Sequence, residues 1–349
     1  AKIFWEGRNN APKRSLRRNL TVTALLDVQQ INRNSTDIVG AKAANLGELE
    51  KIVLPDGRKI PVPEAAFAIP FFYYQQHIEQ NGLQPLIDQV IQNDSIFNNR
   101  NLLAARLKAL QDTIVASPLH PVFLQMLIRK LKASPGGVTE FRFRSSTNAE
   151  DIEGFTGAGL YESKTGSLLR PEKSVEKAVK KVWASVWTLR AFEERLHAHI
   201  DQHNLAMGIL VHRAFGTEEA NGVAITRHLY RSGYPSFTIN VQKDEVSVVL
   251  PEHNETPEQL LVNYSDFLEG KNTIAVDYIS HSSLNEMRPL MRSDEIQLLA
   301  TYLYAIKKHF YYASGRTVLG PEFVEFAMDV EFKLERGTRK IYIKQARPY

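Results

Sequence analysis

Apolar residues recur at helical spacing in several stretches of the chain. Asp37-Ile-Val-Gly40 leads into Ala41-Lys-Ala-Ala-Asn-Leu-Gly-Glu-Leu-Glu50, a run of strong helix formers with Leu46, Leu49 and Ile52 on one side. A turn at Pro55-Asp56-Gly57 follows, and residues 60–69 alternate as a strand does. Helical patterns cover residues 71–81, 83–93, 102–117 and 121–133, up to the break at Pro135-Gly136-Gly137. Glu140, Arg142 and Arg144 then alternate with Phe141 and Phe143, which predicts a strand. A glycine-rich loop spans 154–159. One long amphipathic helix is predicted over 174–199, anchored by Trp183, Trp187 and Phe192. Beyond it the pattern turns to short strands at 208–214, 222–226, 237–242 and 245–250. A helix is expected over 294–312 with Ser293 as N-cap, then a strand pair at 323–334 and 340–345 around Gly337.

This pattern suggests a division near residue 204, giving a lobe over 21–204 and a strand-rich lobe over 205–349. With 349 residues, 43% of them hydrophobic, the chain is large enough for two packed lobes. The absence of cysteine excludes a disulfide scaffold, thiolate metal sites and cysteine nucleophiles. No apolar run reaches the roughly 18 residues of a membrane span, and residues 1–20 lack the apolar core of a signal peptide. A cytoplasmic setting with no membrane partner is the expectation. The net charge of +4 is mild. Its excess sits in residues 1–20, where Lys2, Arg8, Lys13, Arg14, Arg17 and Arg18 face only Glu6. This reads as a basic arm or linker. The tyrosines are dispersed and no basic stripe forms, so a nucleic-acid partner is disfavoured.

Four segments carry charge or glycine where a core does not need it. Arg144-Ser-Ser-Thr-Asn-Ala-Glu-Asp151 follows the Phe141/Phe143 strand. A guanidinium with nearby hydroxyls suits phosphate, although Glu150 or Asp151 could equally pair with the arginine. Gly154-Phe-Thr-Gly-Ala-Gly-Leu-Tyr-Glu-Ser163 offers backbone N–H groups to an anion, yet it has neither the Walker nor the dinucleotide spacing. In Asp329-Val-Glu331, alternation puts two carboxylates on one face, a hard-oxygen pair suited to Mg²⁺ held jointly with phosphates. Gln345 and Arg347 also share a face, and an antiparallel partner would set them beside Asp329 and Glu331. The set reads as a metal–polyphosphate floor or as an internal ion-pair network. Lys42, behind Gly40 at a helix start where a cation is disfavoured, joins the candidates.

Together these segments resemble the nucleotide-binding domain of the phosphoenolpyruvate synthase / pyruvate phosphate dikinase family, in order, from about residue 36 to the end. The family's opening pattern is Val39-Gly40-Ala41-Lys42-Ala43-Ala44-Asn45-Leu46 here. Its Val-Pro-x-Gly-Phe strand is Val62 to Phe67, one residue longer and with Ala66 for glycine. Arg-Ser-Ser-x-x-Ala-Glu-Asp is complete at Arg144 to Asp151. The Ala-Gly-x-x-x-Thr loop is Ala158 to Glu162 with Ser163 for threonine. Trp-x-Ser is Trp183-Ala-Ser185, and Val-Gln-x-Met is Val211-His212-Arg213-Ala214, with histidine for glutamine. Gln242-Lys243-Asp244-Glu245 lacks the glycine of Gln-x-Gly-Glu, and the closing motif is Asp329-Val-Glu331 with Gln345-Ala-Arg347-Pro348.

The resemblance implies an α+β, two-lobed ATP-grasp fold of mixed or antiparallel sheets with flanking helices, and ATP and Mg²⁺ as ligands. It implies that Lys42 and Arg144 contact the phosphates while Gly157, Ala158, Gly159 and Ser163 cover them. Val211, His212, Arg213, Ala214 and Glu245 would line the nucleotide pocket. Asp329, Glu331 and Gln345 would hold Mg²⁺, and Arg347 would steady the moving phosphoryl group. In the family the β-phosphate passes to a histidine on a swivelling domain and then to an acceptor such as pyruvate. That domain's Gly-Gly-x-x-Ser-His signature is not found here. Ser280-His281-Ser282 is nearest and lacks the glycines. The phosphohistidine domain is therefore expected elsewhere in a longer protein or on another chain. An ATP-sensing or scaffolding domain is the competing expectation.

Overall fold

The structure is a computed structural model that describes residues 13–92, 99–152, 154–157, 159–248 and 253–349. The chain forms two compact units, one of residues up to Ala44 with Glu64–Ala214, the other of Asn45–Pro63 with Phe215–Tyr349.

The first unit is built on five antiparallel strands, β1 (Leu26–Asp27), β2 (Phe67–Ile69), β3 (Glu140–Thr147), β4 (Ser163–Ser167) and β5 (Met207–Arg213), in the order β1-β2-β5-β3-β4. Its helices are α1 (Thr36–Val39), α2 (Ala41–Leu49, where the division falls), α3 (Phe71–Gln80), α4 (Gln84–Gln92), α5 (Arg100–Ala116), α6 (Pro121–Lys132), α7 (Val175–Ala184) and α8 (Leu189–His197). Helix α7 packs across β3, β4 and β5. Trp183, Trp187 and Phe192 are buried as expected, and the Trp187 indole donates to the Tyr74 hydroxyl at 2.9 Å.

Three expectations for this unit need correction. The helix over 174–199 is two helices. Between them the chain passes through a 3₁₀ turn at Ser185–Trp187, and extended Thr188 starts α8 by accepting from the Ala191 N–H at 3.4 Å. Of residues 60–69 only β2 is strand. The division falls after Ala214 rather than near 204, because β5 is the central strand between β2 and β3 and cannot leave their sheet. In the basic segment, Leu16 is buried, and the backbone of Arg14 hydrogen-bonds to His199 and Asp201 at 2.6 and 2.9 Å. Residues 13–20 are thus packed on the unit.

The second unit holds a six-stranded antiparallel sheet, β6 (Glu218–Ile225), β7 (Ser236–Lys243), β8 (Glu258–Asn263), β9 (Ala275–Ser280), β10 (Met328–Glu335) and β11 (Ile341–Pro348), in the order β11-β10-β6-β7-β8-β9. Its helices are α9 (Ser265–Leu268), α10 (Ser293–Ala313) and α11 (Pro321–Glu325). Leu299, Leu303, Ile306 and Phe310 form the buried stripe of α10, which packs on β10 and β11.

Here too some expectations fail. Strands β8 and β9 were not predicted. Buried Glu258 and exposed Tyr278 and Ile279 blur their alternation. Asp244 and Glu245 form a turn with Asp244 in the left-handed region, so no strand starts at 245, and Val249 and Leu250 lie outside the described residues. The expected strand over 323–334 is α11 followed by β10, since Pro321 starts a helical turn. Ser293 is the first helical residue rather than the cap. The Arg292 N–H at the cap position donates to Glu295 Oε2 at 2.8 Å. No helix among the described residues is long and apolar enough to cross a membrane.

Candidate functional site: a cationic face and an acidic face

In the first unit the site begins at Gly40. Its φ is +82°, and a Cβ there would lie 2.1 Å from the Ser146 carbonyl oxygen, so only glycine lets the chain cross β3 this closely. Helix α2 starts at that crossing, where the Ala43 N–H donates to Ser146 Oγ at 3.0 Å. Lys42 therefore points from the first turn of a helix fixed to the end of β3. It forms an ion pair with Glu150, whose side chain is fully buried. The second oxygen of Glu150 is buried with no hydrogen-bond partner among the described residues.

The first half of the Arg144–Asp151 segment is still strand, because β3 continues through Thr147, and only residues 148–151 leave it. Two of the segment's hydroxyls serve the fold. Ser146 caps α2 as described, Thr147 Oγ1 donates to the Ala206 carbonyl at 2.8 Å, and the Asn148 amide bonds to Arg17, Asn204 and Ala206. Arg144 is itself a buried residue of this strand. Cross-strand register sets Arg144 opposite Ser163, and Arg142 opposite both Thr165 and His212, so these five side chains share one sheet face. Phe141, Phe143 and Val211 point the other way into the core, and the Val211 side chain is therefore no lining for a nucleotide. Buried His212 holds its Nδ1 2.7 Å from the Arg213 carbonyl, Arg213 pairs with Glu64, and the Ala214 N–H donates to the Glu140 carbonyl at 2.9 Å.

The glycine loop rests on this set. A Cβ on Gly157 would lie 3.2 Å from Glu150 Cγ, so the loop backbone packs against the partner of Lys42. Gly159 has φ +68°, and Ala158 lies outside the described residues. The loop's exit is fixed by Tyr161, whose hydroxyl donates to the Ala149 carbonyl at 3.2 Å and accepts from buried Arg195 at 3.3 Å. Burial pushes the Tyr161 hydroxyl up from its ordinary pKa. Ser185, of the Trp-x-Ser element, accepts from the Glu162 N–H at 3.1 Å and so sets the start of β4, where Ser163 sits.

In the second unit the final hairpin pairs Asp329 with Arg347 and Glu331 with Gln345, which places all four on one face as alternation predicts. A bulge after Glu331 brings Lys344 to 3.6 Å from Glu331. Arg347 directs both Nε (3.0 Å) and Nη2 (2.6 Å) at one oxygen of Asp329. The other oxygen, Oδ1, is buried and has no hydrogen-bond partner among the described residues. Such an orphaned acceptor calls for a partner, and a hard cation fits it. No three His, Asp or Glu side chains cluster among the described residues, so a cation here would need further oxygens from a ligand such as phosphate. Glu245 is exposed in the turn after β7.

Sequence reasoning missed the Lys42–Glu150 pair and Lys307. Lys307 is fully buried on α10, and its ammonium donates to the carbonyls of Thr226 (2.7 Å), Val324 (3.2 Å) and Phe326. The available signal was a lysine four residues after Leu303 within an apolar stripe.

The chain spans 42% of a phosphoenolpyruvate synthase from Aeropyrum pernix, with 23% identity over 93% of its own length. It spans 41% of a phosphoenolpyruvate synthase from Escherichia coli at 24% identity over 91% of its length. A rifampicin phosphotransferase from Bacillus cereus matches 58% of the chain at 27% identity, over 22% of that protein. The family described as pyruvate phosphate dikinase, AMP/ATP-binding domain, matches residues 36–349. With its antiparallel sheets and flanking helices, the chain belongs to this family of ATP-binding domains.

Proposed function

We propose that this chain binds ATP with Mg²⁺ and presents the β-phosphate to a histidine on a swivelling domain, in a dikinase reaction of the phosphoenolpyruvate synthase type. One observation carries the reading. The β10–β11 face holds two carboxylates, an amide and a guanidinium in adjacent register, and Asp329 keeps a buried oxygen that no described residue satisfies.

In this reading Asp329, Glu331 and Gln345 hold Mg²⁺, which when bound supplies charge neutralisation to the phosphates. Lys42 and Arg144 contact phosphate oxygens, and Arg347 steadies the phosphoryl group in flight. Gly157 to Gly159 and Ser163 cover the phosphates, while His212, Arg213, Ala214 and Glu245 line the nucleotide. The histidine nitrogen bonds to the β-phosphorus as the bond from that phosphorus to the α-bridging oxygen breaks. AMP leaves, and the γ-phosphate goes to water or to phosphate. The protein's part is positioning and electrostatics. The name phosphoenolpyruvate synthase carried by the relatives favours pyruvate as the final acceptor, and a cytoplasmic setting is part of the same proposal.

The test supplies the chain with β-labelled ATP, Mg²⁺ and the swivelling domain of a phosphoenolpyruvate synthase. Labelled histidine and stoichiometric AMP are expected. Saturable ATP binding without AMP would sink the transfer reading and leave an ATP-sensing domain.

A further inference from the structure

Lys307 sits where a charge is costly. It is fully buried, its ammonium lies 5.0 and 5.8 Å from the ring centres of Phe323 and Tyr264, and no ion pair accompanies it among the described residues. Burial lowers its pKa to about 7, with Glu325 opposing that shift and Arg227 adding to it. A lysine in such a place needs compensation, and here it comes from three backbone carbonyls.

Those carbonyls belong to two segments that meet just before the acidic strand. Val324 and Phe326 close α11, whose last carbonyls have no partner within the helix. Thr226 ends β6. Thr226 is in turn bonded to the first residue of β10, its N–H to the Met328 carbonyl at 2.9 Å and its Oγ1 to the Met328 N–H at 2.8 Å. One ammonium therefore ties the entry of β10 to its neighbour strand, one residue ahead of Asp329. Strand geometry makes this point sensitive, because a slip of one residue sends every side chain to the opposite face. Asp329 and Glu331 would then turn into the core, and Met328 and Val330 would turn out.

We infer that Lys307 is a positioning residue for the cation site, acting through the backbone of β10 and never touching the nucleotide. This rests on the reading that Asp329 and Glu331 hold Mg²⁺. Lys307 lies in α10, which packs on β10 and β11, and its ammonium is spent on the three carbonyls. A role in direct phosphate contact does not fit it.

The test is calorimetric titration of the full chain with ATP, in EDTA and over a series of Mg²⁺ concentrations. Lys307→Met should raise the half-saturating Mg²⁺ by about tenfold, as loss of outer support around a metal does. It should leave metal-free ATP affinity within about twofold. Thr226→Val removes the hydroxyl that accepts from Met328 while keeping Lys307, and should shift Mg²⁺ dependence in the same direction. Hydrogen exchange at the Met328 amide should quicken in both variants. A folded Lys307→Met with wild-type Mg²⁺ dependence overturns the inference. If that variant does not fold, an unchanged Mg²⁺ dependence in Thr226→Val overturns it instead. Asp329→Asn separates the two layers. If it shifts Mg²⁺ dependence while both other variants do not, only the Lys307 role fails. If it shifts nothing, the metal reading fails and takes this inference with it.

Discussion

The two charged faces are built on opposite plans. In the first unit, Lys42 is already neutralised by a buried glutamate, and the Ser146 and Thr147 hydroxyls of the Arg144–Asp151 motif are committed to helix and strand contacts. In the second unit the Arg347 guanidinium lies on one carboxylate oxygen of Asp329 and leaves its twin without a partner among the described residues. The first face holds the fold together with the groups it would offer to phosphate. The second keeps part of its bonding capacity in reserve. Substitutions at the first face should therefore cost stability before they cost binding, and substitutions at the second should do the reverse.

The sharpest way to break this contrast is Lys42→Met. It strands the Glu150 carboxylate in a buried site, and stability should fall by about 3 kcal/mol in urea titrations. Adding Glu150→Gln should restore most of the loss. A single variant as stable as wild type would show that the pair is not structural. At the other face, Asp329→Asn should leave the urea midpoint nearly unchanged. It should remove about 2 kcal/mol of the roughly 2.7 kcal/mol by which Mg·ATP at a hundred times its dissociation constant stabilises the protein. Equal stabilisation by ATP with and without Mg²⁺ in the wild type would sink this prediction.

The effect that is smallest per step, taken over one pH unit, concerns pH. Lys307 has its pKa lowered to about 7 from 10.5 by burial, so in that interval the unfolded chain binds more protons than the folded one. Stability then rises with pH from about 7 towards 10.5, by at most about 1.4 kcal/mol per pH unit, and the depressed lysine penalises folding most below pH 7. Lys307→Met should flatten that rise in denaturation curves taken at several pH values. The groups facing the ammonium, Glu325 and Arg227, are left in place by this substitution.

Local pattern made some of this legible and distance hid the rest. The alternation of Glu140, Arg142 and Arg144 with Phe141 and Phe143 reads directly as a strand with a core face and a charged face. Asp329/Glu331 and Gln345/Arg347 each repeat at two residues, so any antiparallel pairing in register had to bring them together. The partner of Lys42 lies 108 residues away and follows no period. The long helix looked continuous because Ser185 and Thr188 interrupt it through capping hydrogen bonds, which leave the apolar spacing almost intact. Strands β8 and β9 escaped notice because one buries a glutamate and the other is an exposed sheet edge. That residues 45–63 join the second unit follows from tertiary packing, as in the Ile343 N–H donating to the Pro61 carbonyl at 2.8 Å.

The position of β5 bears on how the protein is made. It is the last strand of its sheet in sequence, yet it lies in the middle, between β2 and β3. Until the ribosome has delivered Arg213, the earlier strands form two fragments with unpaired inner edges, β1–β2 and β3–β4. Closing the sheet then depends on contacts between distant parts of the chain, which form slowly and leave strand edges open to wrong partners. A nascent chain halted before β5 would thus be a substrate for chaperones, while one released after it could complete the first sheet.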